Sequence, residues 1–239
     1  MSGQSAVILG ASGGIGQALT AQIAASGRFA SVHALSRSPV AVPEGVIWHR
    51  ADLTDEASLA EAAAAVGRQD EVGLVVVASG LLHAEGISPE KTLKALDAET
   101  MARLFAINTI GPALAAKHFL PLLPRYGRSV FAAVSARVGS IGDNRLGGWY
   151  SYRASKAALN QIIRTLSIEV RRTRPQAVLL ALHPGTVTTA LSEPFRGGEP
   201  GPGLFSPQQS AEHLLRVIEA AAPEQSGAFL AWDGSEIPF

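Results

Sequence analysis

The sequence contains no cysteine. Disulfides, thiolate metal centres and thiol nucleophiles are thereby excluded. It also lacks a surplus of either charge: 20 Lys and Arg face 20 Asp and Glu, for a formal net charge of zero. A nucleic-acid binder shows a basic excess, and a solvating tail shows a run of like charge; neither occurs here. Long apolar runs are missing too. LVVVASGLL at 74–82 is among the longest, about half of the roughly 20 residues that a membrane span needs. The first residues, Ser2 to Ser5, lack the basic start and apolar stretch of a signal peptide. Together these absences predict a cytoplasmic protein with neither nucleic acid nor membrane as partner. The six histidines are scattered, without an H-E-x-x-H pair, and no serine outside the glycine-rich stretch at 10–16 stands in a G-x-S-x-G pattern. No metal site and no hydrolase nucleophile are expected.

What remains is a chain of 239 residues, 47% hydrophobic and 17% charged. That is enough to bury a large core and too apolar for disorder. Short apolar runs at 5–10, 31–36, 46–49, 73–79, 128–135, 177–183 and 227–234 read as strands. The stretch 73–79 is the clearest, a continuous β-branched run suited to burial on both faces. Between them, 14–26, 55–66, 98–121, 150–172 and 207–221 read as helices. Strands that alternate with helices imply a parallel, doubly wound α/β sheet covered on both faces. Residues 1–239 are expected to form a single domain of this Rossmann-type architecture. The Pro/Gly-rich segment at about 190–206 is expected to be a lid rather than a linker.

The turn GASGGIG at 10–16 follows the first strand and opens the first helix. Glycines suit such a turn because it must be tight and its N–H groups must approach a pyrophosphate closely. The helix start adds free N–H groups and the positive end of its dipole. Gly10, Ser12, Gly13, Gly14, Ile15 and Gly16 are therefore candidates for phosphate binding. After the second strand the chain reads Ser36-Arg37-Ser38. No carboxylate stands there to bind ribose hydroxyls, whereas an arginine beside hydroxyls suits a 2′-phosphate. Ser36 and Arg37 thus favour NADP(H) over NAD(H). The plain alternative is a solvated loop arginine.

YRASK at 152–156 puts Tyr152 and Lys156 one turn apart on a helix. A phenol with a pKa of about 10 is a poor acid at neutral pH, but a neighbouring ammonium stabilises its phenolate. Such a Tyr could give a proton to a carbonyl while hydride arrives from a nicotinamide. Tyr150 has Ala154 four residues on and cannot play that part. Pro112 lies four residues after Asn108, so the Asn108 carbonyl loses its helical N–H partner and is free to hold a water.

Taken together, these residues resemble the short-chain dehydrogenase/reductase family over nearly the whole chain. The run SARVGSIGDNRLGGWYSYRASKAALN is similar to its carbonyl-reductase-like and C-factor-like branches. The resemblance implies that Asp52 and Leu53 hold an adenine. It implies that Ala78, Ser79 and Gly80 line the cofactor after the fourth strand. Pro184, Gly185, Val187 and Thr189 match the segment that contacts the nicotinamide. It further implies a proton relay from Tyr152 through Lys156 to water at Asn108, and a homodimer or homotetramer with contacts on the helices at 98–121 and 150–172. The pattern breaks once. The family's carbonyl-binding serine falls at Ala136, so Ser135 or Ser140 would have to substitute, and Ser135 is the candidate catalytic hydroxyl.

The resulting expectation is an NADPH-dependent oxidoreductase that interconverts a carbonyl substrate and its alcohol. Two alternatives stand beside it. One is an NADP-binding sensor or signalling protein with little or no turnover, motivated by Ala136. The other is sugar-nucleotide epimerisation, which normally needs a larger substrate domain. Trp149 and Trp232 are read as pocket walls or core residues.

Overall fold

The computed structural model describes residues 3–68, 70–189 and 204–239. Seven parallel strands form the central sheet in the order β3-β2-β1-β4-β5-β6-β9. They are β1 (Ser5–Leu9), β2 (Ser31–Ser36), β3 (Val46–Arg50), β4 (Val72–Val77), β5 (Ser129–Val134), β6 (Ala177–His183) and β9 (Phe229–Ala231). Each of β1 and β4 is buried along its full length, as expected of apolar runs inside a sheet covered on both sides. One apolar layer runs through Leu35, Leu59, Phe119, Leu159 and Phe229, the other through Ile8, Leu19, Val130, Leu180 and Leu214. The helices α1 (Gly14–Ala25), α2 (Glu56–Val66), α5 (Tyr150–Val170) and α6 (Pro207–Ala220) cover these layers. Arg128 fastens the end of α6 by donating to the carbonyls of Ile218, Glu219 and Ala221.

Strand order reverses between β1 and β4, and ligands of doubly wound sheets bind outside the strand ends at that point. The expected strands are all present, most of them trimmed by a residue or more: the last is only Phe229–Ala231, not 227–234. The helix expected at 98–121 is not uniform. It consists of α3 (Ala98–Phe105), a π turn over Ala106–Ile110, and α4 (Gly111–Phe119), followed by a 3₁₀ turn at Leu120–Leu122. Gly111 N–H donates to the Ala106 carbonyl, five residues back. Pro112 has no N–H to give Asn108, and the wider turn sits where that donor is missing. Pro112 is thus accommodated by a π turn rather than a break. A small pair, β7 (Thr186–Val187) with β8 (Leu204–Phe205), stands beyond β6. Of the segment expected to be a lid at about 190–206, residues 190–203 lie outside the described residues.

Candidate active site

The glycine turn closes on its own backbone. A Cβ on Gly16 would stand 2.1 Å from the Gly10 carbonyl oxygen, and one on Gly10 (φ +87°) 2.4 Å from Ser79 Oγ. Gly14 faces Thr189, whose Cγ2 would lie 2.9 Å from a Cβ there. The structure therefore brings together three stretches far apart in sequence: the turn at 10–16, Ala78–Gly80 after β4, and Pro184–Thr189 after β6. Helix α1 has neither a side-chain cap nor an acidic residue in its first turn. Its N-terminal N–H groups and dipole are available to an anion. These residues fit a dinucleotide pyrophosphate.

At the other end of that crevice, Arg37 and Ser38 are exposed while Ser36 is buried. The Ser36 hydroxyl accepts from Trp48 Nε1 (2.8 Å) and donates to the Ser38 carbonyl (2.7 Å). It is already used inside the protein, so Ser38 is the exposed hydroxyl beside Arg37. Arg50 was not anticipated. It pairs in register with Ser36 across β2 and β3, which puts a second guanidinium at the same edge. Only its place at the end of β3 hints at this in the sequence. Partial burial opposes the charge on Asp52. Two hydrogen bonds from Thr54 (2.9 and 2.8 Å) and the positive Arg37 and Arg50 more than offset it, so its carboxyl titrates below the usual range. Leu53 is buried against Gly111.

Tyr152 and Lys156 both lie on α5 and are almost fully buried, 7% and 2% exposed. Lys156 Nζ donates to the Val134 carbonyl (2.9 Å) and lies 5.9 Å from the Tyr152 ring centre. Burial lowers the Lys156 ammonium to about 8 and raises the Tyr152 phenol above its ordinary value. Gly139 lets the loop after β5 lie on Lys156, since a Cβ there would come 2.8 Å from Lys156 Cβ. No described residue hydrogen-bonds the Tyr152 hydroxyl. The ring packs in an apolar cluster with Leu82, Ile87 and Leu104, edged by Leu81, Ala136, Val138 and Trp149. Trp149 meets Tyr152 edge-on at 6.2 Å. It is also the one described non-glycine residue with positive φ (52°), a conformation that costs of order 1–3 kcal/mol.

Asn108 is fully buried in the π turn. Its side chain accepts from Leu81 N–H (2.7 Å) and donates to the Leu81 carbonyl (2.8 Å) and to Ser155 Oγ (3.1 Å). It thus ties the chain just after Gly80 to α5. Gly80 stands close to both groups: a Cβ there would be 3.5 Å from Lys156 Nζ and 3.6 Å from Asn108 Oδ1.

Neither serine near Ala136 turns toward Tyr152. Ser135 Oγ donates to Asn160 Oδ1 (2.7 Å), and Ser140 Oγ donates to the Pro238 carbonyl. Ala136, where the family resemblance would place the carbonyl-binding serine, borders the apolar cluster. His183 ends β6, and its Nδ1 accepts from Arg137 N–H (3.3 Å). Burial and the nearby Arg137 lower it to about 4, so it stays neutral, although Asp233 pulls the other way. Trp232 packs against Phe205 (4.7 Å) and His213 (5.1 Å) beneath Gly185, which makes it a support for the loop after β6. Among the described residues no group of His, Cys, Asp and Glu could hold a metal, and no helix is long and apolar enough to cross a membrane.

Residues 4–199 match the family model for short chain dehydrogenases. The C-signal protein of Myxococcus xanthus is 39% identical over 145 residues, which cover 60% of this chain and 81% of that protein. The 1-hydroxy-2-glutathionyl-2-methyl-3-butene dehydrogenase of Rhodococcus sp. (strain AD45) is 36% identical over 201 residues, 84% of this chain and 81% of that one. Among solved structures, the NADPH-bound carbonyl reductase from chicken fatty liver superposes with a TM-score of 0.86 at 27% identity and covers all of both chains. The fold, the family match and these relatives agree, and the chain belongs to the short-chain dehydrogenase/reductase family of oxidoreductase enzymes.

Proposed function

We propose that the protein is an NADPH-dependent reductase of apolar ketones or aldehydes, able to run in reverse on the alcohols, with Tyr152 as the proton donor. The observation that carries this reading is the state of Tyr152. Its hydroxyl is unclaimed by any described residue, apolar side chains surround it, and the Lys156 ammonium lies 5.9 Å from its ring centre. Burial by itself raises the phenol and weakens it as an acid, so the neighbouring ammonium is what equips it to give a proton to a carbonyl oxygen. When bound, NADPH supplies the hydride. Tyr152 protonates the oxygen of the substrate. Lys156, still largely charged below pH 8, lowers the cost of the resulting phenolate. Asn108 keeps Leu81 and α5 in register, and its carbonyl, without a donor from Pro112, is the place for a water that returns the proton. The turn at 10–16 takes the pyrophosphate, Asp52 and Leu53 take the adenine, and Arg37 with Arg50 and Ser38 takes the 2′-phosphate.

The relatives' names support the direction of this proposal. One is a dehydrogenase of a hydroxy compound, and the chicken protein is an NADPH-bound carbonyl reductase. The same reading expects a homodimer or homotetramer. Ile110 in the π turn and Ile168 on α5 are exposed apolar residues on the helices where contacts are expected. Titration of NADPH and NADH by fluorescence, with wild type and Arg37→Glu side by side, tests the cofactor. Tight NADPH binding that the variant loses supports it, and equal affinity for both cofactors contradicts it. Oxidation of NADPH by small dicarbonyls or quinones, with Tyr152→Phe as control, tests the reaction.

A second reading rests on Ala136. Ser135 and Ser140 are both committed elsewhere, so neither of these hydroxyls is placed to polarise a carbonyl beside Tyr152. Loss of one such donor costs about 10²–10³ in rate. A slow NADP-binding protein with a signalling role follows from that. NADPH bound tightly without turnover on any carbonyl would favour it.

A further inference from the structure

Helix α5 starts without help from its own sequence. Trp149 at its N-cap does not cap the helix with its side chain, and the first turn holds no acidic residue. The missing groups come from 60 residues upstream in the chain, roughly the separation of Glu90 from Trp149 and Ser151. Glu90 is only 4% exposed. One carboxylate oxygen accepts from Ser151 N–H (3.2 Å), and the other accepts from the Ser151 hydroxyl. Its backbone carbonyl accepts from Trp149 N–H. One residue therefore grips both sides of the helix start. It satisfies an N–H group that has no intrahelical partner, and it sets negative charge at the positive end of the dipole.

The segment that ends at Glu90 is tied at its other end as well. Leu81 is held by Asn108 through both of its backbone groups. Between the two ties, Leu82 and Ile87 pack on Tyr152, and Ala84 and Ile87 bridge to each other. The strap from Leu81 to Glu90 thus lies on the apolar side of Tyr152 and is fastened to both helices that carry the site. Trp149, held left-handed by the Glu90 carbonyl, closes the same wall edge-on to the Tyr152 ring. An α5 released from Glu90 would keep its body, because Leu159 and Ile163 are buried in the core. Its first turn, which contains Tyr152, would lose its fixed start.

We propose that Glu90 is a positioning residue for the reaction: its carboxylate on Ser151 and its carbonyl on Trp149 set where α5 begins, and so hold Tyr152 against the apolar substrate wall. The proposal rests on Tyr152 being the proton donor, and its test separates the two. Amide hydrogen exchange at residues 149–153, read without substrate, compares wild type, Glu90→Ala and Glu90→Gln. The expected result is faster exchange in Glu90→Ala, confined to that turn, and near-wild-type protection in Glu90→Gln, whose amide oxygen still accepts from Ser151. With a carbonyl that the wild type reduces, Glu90→Ala lowers kcat by about 10- to 100-fold, the scale of a small misplacement. The Kd for NADPH stays within about twofold, and Glu90→Gln recovers most of kcat. Unchanged exchange and unchanged kcat in Glu90→Ala overturn the proposal. So does a parallel loss of NADPH binding, melting temperature and kcat that Gln does not restore, which is the mark of a structural cap alone. If Glu90→Ala does not fold, Ser151→Ala removes the hydroxyl half of the grip, and unchanged exchange and kcat there overturn it equally. A wild type that reduces no carbonyl defeats the function above, while the exchange result still decides the role of Glu90.

Discussion

Around the turn between β1 and α1 the walls are largely backbone. Gly10 and Gly16 are required because the backbone of Ser79 and of Gly10 itself lies where a Cβ would go, and Gly14 because the Thr189 side chain does. Around Tyr152 the walls are side chains: Leu82, Ile87 and Leu104, with Ala136, Val138 and Trp149 at the rim. A backbone site recognises what every dinucleotide shares, and its glycines leave a fixed pattern in the sequence. A side-chain site recognises one substrate class, and its residues arrive from several segments with no spacing rule. On the proposed function, the first region would answer for the cofactor and the second for specificity.

The sharpest contrast is expected at Lys156, which faces both regions. Lys156→Met should lower kcat by about 10³ or more, within the span of acid–base catalysis, and should also weaken NADPH. In the wild type, kcat should fall above about pH 8, because the Lys156 ammonium titrates there and the Tyr152 phenolate then loses its support. A pH–rate profile flat from 7 to 9.5 contradicts this. Arg37→Glu should act on the turn region alone. Removing charged contacts to a 2′-phosphate is worth roughly 1.5–3 kcal/mol, so titrations should show NADPH affinity falling about 10- to 100-fold with NADH unchanged. Ala136→Ser should act on the substrate region alone. A hydroxyl restored beside Tyr152 should raise kcat several-fold to about 100-fold without altering NADPH affinity. A lower kcat would show that the apolar wall matters more than polarisation.

The smallest effect is expected outside both regions. His33 is fully buried, its Nδ1 2.9 Å from His49 Nε2 and its Nε2 3.1 Å from Ser31 Oγ. Burial, then His49, lowers it to about 4, although Asp70 partly opposes this. The folded state therefore prefers the neutral ring. Its contribution is complete above pH 6.5 and is lost as pH falls from 6.5 toward 4. The melting temperature should drop by a few degrees over that interval, less steeply in His33→Gln, while activity at pH 7 is unchanged.

How much could be read beforehand follows the same division. Strand and helix order was legible because β1, β4 and β6 are continuous apolar runs and the helices between them are rich in Ala. Tyr152, Lys156 and the glycine turn announce themselves by local spacing. The π turn was half legible: Pro112 shows that Asn108 loses a donor, but not that the helix widens instead of kinking. Ser36 looked like a phosphate ligand because nothing local reveals Trp48 across the sheet taking its hydroxyl. Arg50 and Glu90 were invisible, since each gains its place only when strands or loops distant in sequence meet. The lid expected at 190–206 lies largely outside the described residues, with only Leu204–Ser206 in view.

The central claim is hydride delivery to a carbonyl with Tyr152 as the proton source. A single turnover with NADPH deuterated at the transferring position and an apolar aldehyde or ketone tests it directly. The account predicts deuterium on the carbinol carbon of the product alcohol in the wild type, and NADPH bound normally but transfer slowed by about 10³ or more in Tyr152→Phe. Tight NADPH binding with no deuterium transferred to any such carbonyl, or transfer at the wild-type rate in Tyr152→Phe, would contradict it.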